Sequence, residues 1–152
     1  FAHVTESLAG KAVGSKSWPR LKRAMRLSSE LALAGAAALS ALIWFGGESF
    51  IALMTTDPDA RATAQGFLIW CALAPLVGAP SWQLDGLMIG ATRGALMRNA
   101  MAAAFAIYLA LDFTLRPWLG GDGLWLAFLG YYAARALTLM VGLPGLKRDF
   151  QR

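Results

Sequence analysis

The sequence predicts an all-α integral membrane protein, with four full transmembrane helices preceded by the end of another. Three observations lead there. Four apolar runs each reach the length needed to cross a bilayer core, about 20 residues of helix. Only 15% of the 152 residues are charged and 57% are hydrophobic, whereas soluble domains carry about 25% charge. The Lys and Arg residues cluster between the apolar runs rather than inside them.

That clustering also decides what the basic balance means. The net charge is +5 and the isoelectric point is near 9.9. Because the charges flank membrane segments, they read as orientation signals and not as a nucleic-acid surface. Cys71 is the only cysteine and lies within an apolar run. It excludes a disulfide or a cysteine metal site within one chain, and no metal or cofactor is expected. The opening FAHVTESLAGKAVG lacks a basic flank before an apolar core, so it does not read as a signal peptide. It reads as the end of a helix, and the chain as a C-terminal fragment of a longer protein.

The partial first span covers 1–14, and its Ala2, Ala9, Gly10, Ala12 and Gly14 suit close helix packing. His3 and Glu6 stand i, i+3 apart, as a water-facing or helix-end pair or as a functional one. A basic hinge follows, with Lys16, Arg20, Lys22, Arg23 and Arg26 around Ser17-Trp18-Pro19. The Trp anchors a membrane boundary and the Pro opens a helix. The next span covers 21–45 and is expected to stop at Gly46-Gly47, with Glu30 one turn beyond Arg26 as an interfacial ion pair.

Asp57, Pro58 and Asp59 form a helix start: N-cap, first helical residue and first-turn acid. The span from there covers 60–92 and holds Pro75 and Pro80. Each proline removes a backbone donor and crowds the preceding turn, so a bend is expected between them. The third span covers 97–118 and the fourth 123–143, with Gly120-Gly121-Asp122-Gly123 as the turn between. That glycine turn follows no strand and has no Lys, which argues against a phosphate loop. A basic tail, KRDFQR, ends the chain.

Ten of the fourteen Lys and Arg fall in the hinge, the Arg93/Arg98 turn and the tail, all on one side if the spans alternate. By the positive-inside rule that side is cytoplasmic. The expected location is therefore a bacterial cytoplasmic (inner) membrane, with a cytoplasmic C-terminus.

Three charges remain at depth: Asp85, Asp112 and Arg135. A carboxylate in lipid costs roughly 2.5–3.5 kcal/mol on insertion scales, so it marks an ion or substrate pathway by default. At ~1.5 Å per residue, Arg135 lies roughly 20 Å in from Asp122. By the same rise Asp85 lies roughly 10 Å from the opposite face, and in a core ~30 Å thick the two depths nearly match. Asp85 therefore reads as a static partner of Arg135, as a protonatable or cation-binding group, or as both. Asp112 is one turn from Arg116 and reads first as a helix-end pair. Glu6 and Asp112 together make the candidate secondary polar site.

The run PSWQLDGLMIGATRGALMRNA resembles the multidrug and toxic compound extrusion (MATE) transporters, in the branch named for DNA-damage-inducible protein F. The residues that carry the resemblance are Gln83, Asp85, Gly86 and Ile89 to Arg93. FAHVTESLAGKAVG is similar to the eighth helix of these proteins, and GLWLAFLGYYAARALTL to the twelfth. The resemblance implies a twelve-helix fold in two lobes, of which this chain is the C-terminal part and partners the missing N-terminal lobe. It also implies efflux of organic cations or drugs by antiport against protons or Na⁺. A carboxylate matching Asp85 would help bind the coupling cation, so Asp85, Arg135 and Gln83 are the candidate coupling residues. Two alternatives stay open. A flippase of lipid-linked sugars shares the lobed architecture. A membrane lipid-modifying enzyme would need His beside a carboxylate at one membrane face, and the chain offers His3 alone.

Overall fold

The computed structural model describes residues 2–149, with side chains over 3–146. Within them the chain forms α1 (Ala2–Gly14), α2 (Trp18–Met54), α3 (Pro58–Gly66), α4 (Leu68–Gly90) and α5 (Gly94–Asp149), and no strand. Three stretches are long and apolar enough to cross a membrane: Trp18–Met54, Pro58–Gly90 and Gly94–Leu146. The third, at ~1.5 Å per residue, would extend roughly 80 Å if straight, far beyond one bilayer core. It does not run straight. Gly120 takes φ 56° and ψ −124°, a conformation glycine alone reaches easily, and divides α5 into an N-terminal and a C-terminal arm.

The arms return on each other antiparallel. Gly123 lies against the backbone of Leu115, Gly130 against the side chain of Leu111, and Gly142 against Leu96. Folding α5 at Gly120 thus divides it into two antiparallel apolar arms, which follow α1, α2 and the α3–α4 stretch in the chain.

Helix ends are shaped locally. At the end of α1, Ser17 N–H donates to the Ala12 carbonyl (3.1 Å) and Lys16 N–H to that of Val13 (3.0 Å). At the end of α4, Arg93 donates to Met88 and Thr92 to Ile89, both at 2.9 Å. Each is a Schellman closure with a non-glycine residue in the left-handed region, Lys16 at φ 48° and Thr92 at φ 56°. The Asp57 side chain caps α3 by accepting from Asp59 N–H at 3.0 Å. Arg61 then reaches back to the end of α2, donating to the carbonyls of Thr55 (2.7 Å) and Ala52 (2.8 Å). A guanidinium on orphan C-terminal carbonyls is favourable to the helix dipole.

Two expected boundaries move. The span over 21–45 does not stop at Gly46-Gly47, because α2 continues to Met54. Glycine weakens a helix by only about 1 kcal/mol, and Gly47 is buried where the Leu68 side chain packs on it. The span over 60–92 is interrupted at Phe67 (φ −96°, ψ 1°). Pro75 and Pro80 both lie inside the continuous helix α4. Their missing donors leave the carbonyls of Cys71 and Leu76 without the usual helical partner.

α4 sits at the centre and packs against α1, α2 and α5. It runs parallel to α1 and antiparallel to α2, since Thr5 meets Gln83 whereas Gly47 meets Leu68 and Ser28 meets Gln83. The apolar core gathers Leu21, Leu84, Leu87, Met88, Leu139 and Leu146 near the hinge. Outward faces carry Phe45, Leu53, Trp118 and Val141, each at least 80% exposed, as a lipid-facing surface requires. The hinge and the Arg93/Arg98 turn lie at one end of the bundle; Asp57, Asp59, Arg116 and Asp122 lie at the other. The side chains of the tail's Lys147, Arg148 and Arg152 fall outside those described.

α1 and α4 cross closely at Gly90. A methyl on Gly90 would sit 2.4 Å from the Glu6 carbonyl oxygen and 3.0 Å from Gly10 N, so only small residues permit the approach. Gly90→Ala should destabilise the full-length protein by about 1–3 kcal/mol. Gly14→Ala, where an added methyl meets nothing within 4 Å, should stay within about 0.5 kcal/mol of the parent. Thermal unfolding in detergent measures both, and equal melting of the two variants would contradict the crossing.

Candidate functional site

Asp85 and Arg135 meet because α4 and the C-terminal arm of α5 run side by side in the same direction. Three contacts set the register. Trp70 Nε1 donates to Asp122 Oδ1 at 2.6 Å, near the end of the bundle away from the hinge. Deeper in, the Trp82 and Tyr132 rings meet edge to face with centroids 5.5 Å apart. One turn further, Arg135 reaches Asp85. From Trp70 to Asp85 and from Asp122 to Arg135 the rise is roughly 20 Å on each helix, so the matched depths follow from the shared starting level.

The pair is bidentate. Arg135 Nε donates to Asp85 Oδ2 at 3.0 Å and to Oδ1 at 3.3 Å, and Nη2 donates to Oδ1 at 3.0 Å. Nη1 donates to the Tyr131 hydroxyl at 3.1 Å. Arg135 is buried, while the Asp85 side chain keeps 18% of its surface accessible. Fork-on-carboxylate geometry makes this among the stronger kinds of hydrogen-bonded ion pair. Around it, Trp82, Trp125, Phe128, Tyr131 and Tyr132 form a chain of edge contacts.

Gln83 does not join this pair. Two residues along a helix turn the side chain by about 200°, so Gln83 points to the opposite side of α4. There its Nε2 donates to the Ser28 carbonyl at 3.3 Å, and its Oε1 accepts from the Thr5 hydroxyl. Gln83, Thr5 and Ser28 are all buried. The amide therefore ties α4 to α1 and α2 and is a helix connector by position. The same amide also borders a cleft of about 310 Å³ between α2 and α4, lined by Ala32, Ala36, Pro75, Ala79 and Trp82.

The secondary polar grouping separates as well. Glu6 accepts from His3 at 3.4 Å on exposed α1. Asp112 lies on the N-terminal arm of α5, with Arg116 Nη1 at 3.7 Å from Oδ2. Its Oδ1 is buried without a hydrogen-bond partner. The two carboxylates belong to helices that barely touch. Arg26 and Glu30 form the expected exposed pair at 2.8 Å.

Sequence reasoning missed Tyr131, Thr5 and Ser28. Tyr131 was discoverable, being one helical turn before Arg135. Thr5 and Ser28 had no signal, because Ser28 acts through its carbonyl and Thr5 through a helix 78 residues away in sequence. Among the described residues, no three His, Cys, Asp or Glu side chains come together.

Removing one partner of a buried ion pair strands the other, at a cost of about 3–5 kcal/mol. Asp85→Ala and Arg135→Ala should therefore each lower the melting temperature sharply. The double variant Asp85→Leu/Arg135→Leu should be more stable than either single alanine variant. Additive losses in that comparison would show the two groups to be uncoupled.

The sequence has known relatives. The family model described as MatE matches residues 2–114, which include Asp85 and stop short of Tyr131 and Arg135. The chain is 37% identical over 139 residues to DNA damage-inducible protein F of Escherichia coli (strain K12). That alignment covers 91% of the chain and 30% of the relative, so the chain spans about a third of that protein's length. No solved structure matches the chain. With a family model over most of its length, and with membrane helices packed around the segment that carries Asp85, the chain belongs to the MatE family.

Proposed function

We propose that this chain is part of a secondary transporter that exports organic cations or other toxic compounds in exchange for protons or Na⁺, with Asp85 receiving the coupling cation. The observation that carries the reading is the Asp85 carboxylate itself. It lies deep in an apolar helix bundle, is held on one side by Arg135, and still keeps part of its surface open. Ionisable groups at such depth are costly and mark ion pathways. Family membership supports export as the overall activity.

In this reading the chain needs the remainder of the protein as its second lobe, and the two lobes rock about a central cavity. The cleft beside Trp82 and Gln83 offers an aromatic wall to a cationic or planar substrate. No bound metal or organic cofactor enters the mechanism; the coupling ion is itself cargo.

Asp85→Asn keeps the size and one acceptor oxygen for Arg135 while removing the charge. In the full-length protein it should abolish ion-driven efflux while the amount of folded protein in the membrane stays within about twofold of the parent. Normal coupled efflux by this variant would place the coupling group elsewhere.

The cytoplasmic C-terminus and inner-membrane location are part of the same proposal, supported by the gathering of basic residues at one end of the bundle. Single cysteines replacing Thr56 and Leu119, in a Cys71→Ala background, should label with an impermeant thiol reagent in intact cells. A cysteine replacing Ser15 should label only after lysis. Thr56 and Leu119 are exposed, whereas Gly121 is unsuitable because its added Cβ would strike the Phe67 ring. The reverse labelling pattern would invert the topology.

A further inference from the structure

We infer that Arg135 is a tethered competitor for the cation that Asp85 takes up, so that cation binding and loss of the charged link between the α5 C-terminal arm and α4 are a single event. This rests on the reading of Asp85 given above and names what regulates that site.

The first ground is occupancy. A carboxylate has about four lone-pair directions, and the guanidinium uses three contacts on both oxygens. A hard cation surrounds itself with several oxygens, and this carboxylate has little left to give while Arg135 is in place.

The second ground is charge. Arginine does not deprotonate in proteins, so Na⁺ arriving at Asp85 meets a fixed positive charge in hydrogen-bond contact with the same oxygens. A proton acts on the pair from the other side. It neutralises the carboxylate and leaves a buried guanidinium without its counter-ion. Either cation therefore favours departure of Arg135.

The third ground is where Arg135 can turn. Tyr131, one turn earlier on the same arm, already accepts from Nη1 at 3.1 Å and moves with the arm. The charged and titratable groups around the pair are few. α4 contributes Asp85 and, further along, Cys71; the C-terminal arm contributes Tyr131 and Tyr132. On the N-terminal arm, Tyr108 lies near the level of Tyr131, and Asp112 lies with Arg116 further toward the Gly120 end. Among the described residues, no second carboxylate contacts the guanidinium to keep it at its present place.

The fourth ground is mechanical. Trp70 and Asp122 join α4 to the C-terminal arm at one end, and Leu87, Leu139 and Leu146 join them at the other through the apolar core. Asp85–Arg135 is the charged link between these two anchors. Breaking it leaves the Trp82–Tyr132 ring contact to hold the middle of the arm, while both ends stay docked.

The test uses the full-length protein in proteoliposomes, with ethidium as the exported cation. The driving cation is titrated as sodium chloride at fixed pH, and as acid pulses without sodium. Arg135→Gln, which keeps hydrogen bonding and removes the competing charge, should lower the half-saturating concentration of the driving cation at least about tenfold. Tyr131→Phe should raise it, because a guanidinium leaving Asp85 loses the acceptor it turns to. Arg135→Lys, a point charge without the fork, should fall between the parent and Arg135→Gln.

A purely structural Arg135 predicts something else: less folded transporter with an unchanged half-saturating concentration in all three variants. That result overturns the inference. If Arg135→Gln does not fold, the Lys and Phe variants carry the same comparison. An inactive Asp85→Asn beside unmoved Arg135 and Tyr131 variants refutes the competitor alone. A fully coupled Asp85→Asn refutes the reading beneath it.

Discussion

A carboxylate inside a hydrocarbon layer has no water to solvate it, and the helices around Asp85 are arranged to supply what water would. Arg135 provides two-pronged hydrogen bonding and the opposite charge, and Tyr131 holds the outer edge of the guanidinium. For this to work, the C-terminal arm of α5 must run parallel to α4 at a matched level. The Trp70–Asp122 bond sets that level at one end, and the turn at Gly120 brings the arm back beside its partner. The pair is thus a consequence of topology as much as of chemistry. Fork geometry on a carboxylate also explains why lysine would serve poorly at position 135.

α4 has to satisfy more than one neighbour, and its sequence divides the work by face. One face presents Trp82 and Asp85 to the C-terminal arm. The opposite face presents Gln83 to α1 and α2, where a single amide both accepts and donates between helices. In lipid there is little hydrophobic force between helices, so such polar ties and small-residue crossings carry much of the association. The Gly90 crossing with α1 is the small-residue counterpart of the Gln83 tie. Pro75 and Pro80 add carbonyls free of helical donors within the same helix. A helix loaded this way is suited to the centre of a bundle, and poorly suited to face lipid.

Several features were readable from composition and spacing. The all-α membrane class follows from run length and hydropathy, because the bilayer imposes both. The Asp57-Pro58-Asp59 helix start is local chemistry and stands as read. The reversal at Gly120 is local too, since φ 56° with ψ −124° is a backbone that glycine alone reaches easily. Boundaries that depend on packing were less legible. Gly46-Gly47 looks like a stop, yet Gly47 is where Leu68 packs, and the helix continues through it. The span over 60–92 is likewise interrupted at Phe67, whose ring lies against Gly121. Neither outcome has a signal within a few residues of the site.

By itself the sequence determined the all-α membrane class, the asymmetric distribution of basic residues and the presence of two opposite charges at similar depth. These follow from one-dimensional quantities: run length, charge count and rise per residue. Only the tertiary structure decided which groups meet. It brought Asp85 onto Arg135 across 50 residues of chain, turned Gln83 away to Thr5 and Ser28, and left Glu6 and Asp112 apart. The physical reason is rotational. Neighbouring positions on one helix face different partners by about 100° per residue, and which partner stands at each angle is set by how distant helices dock.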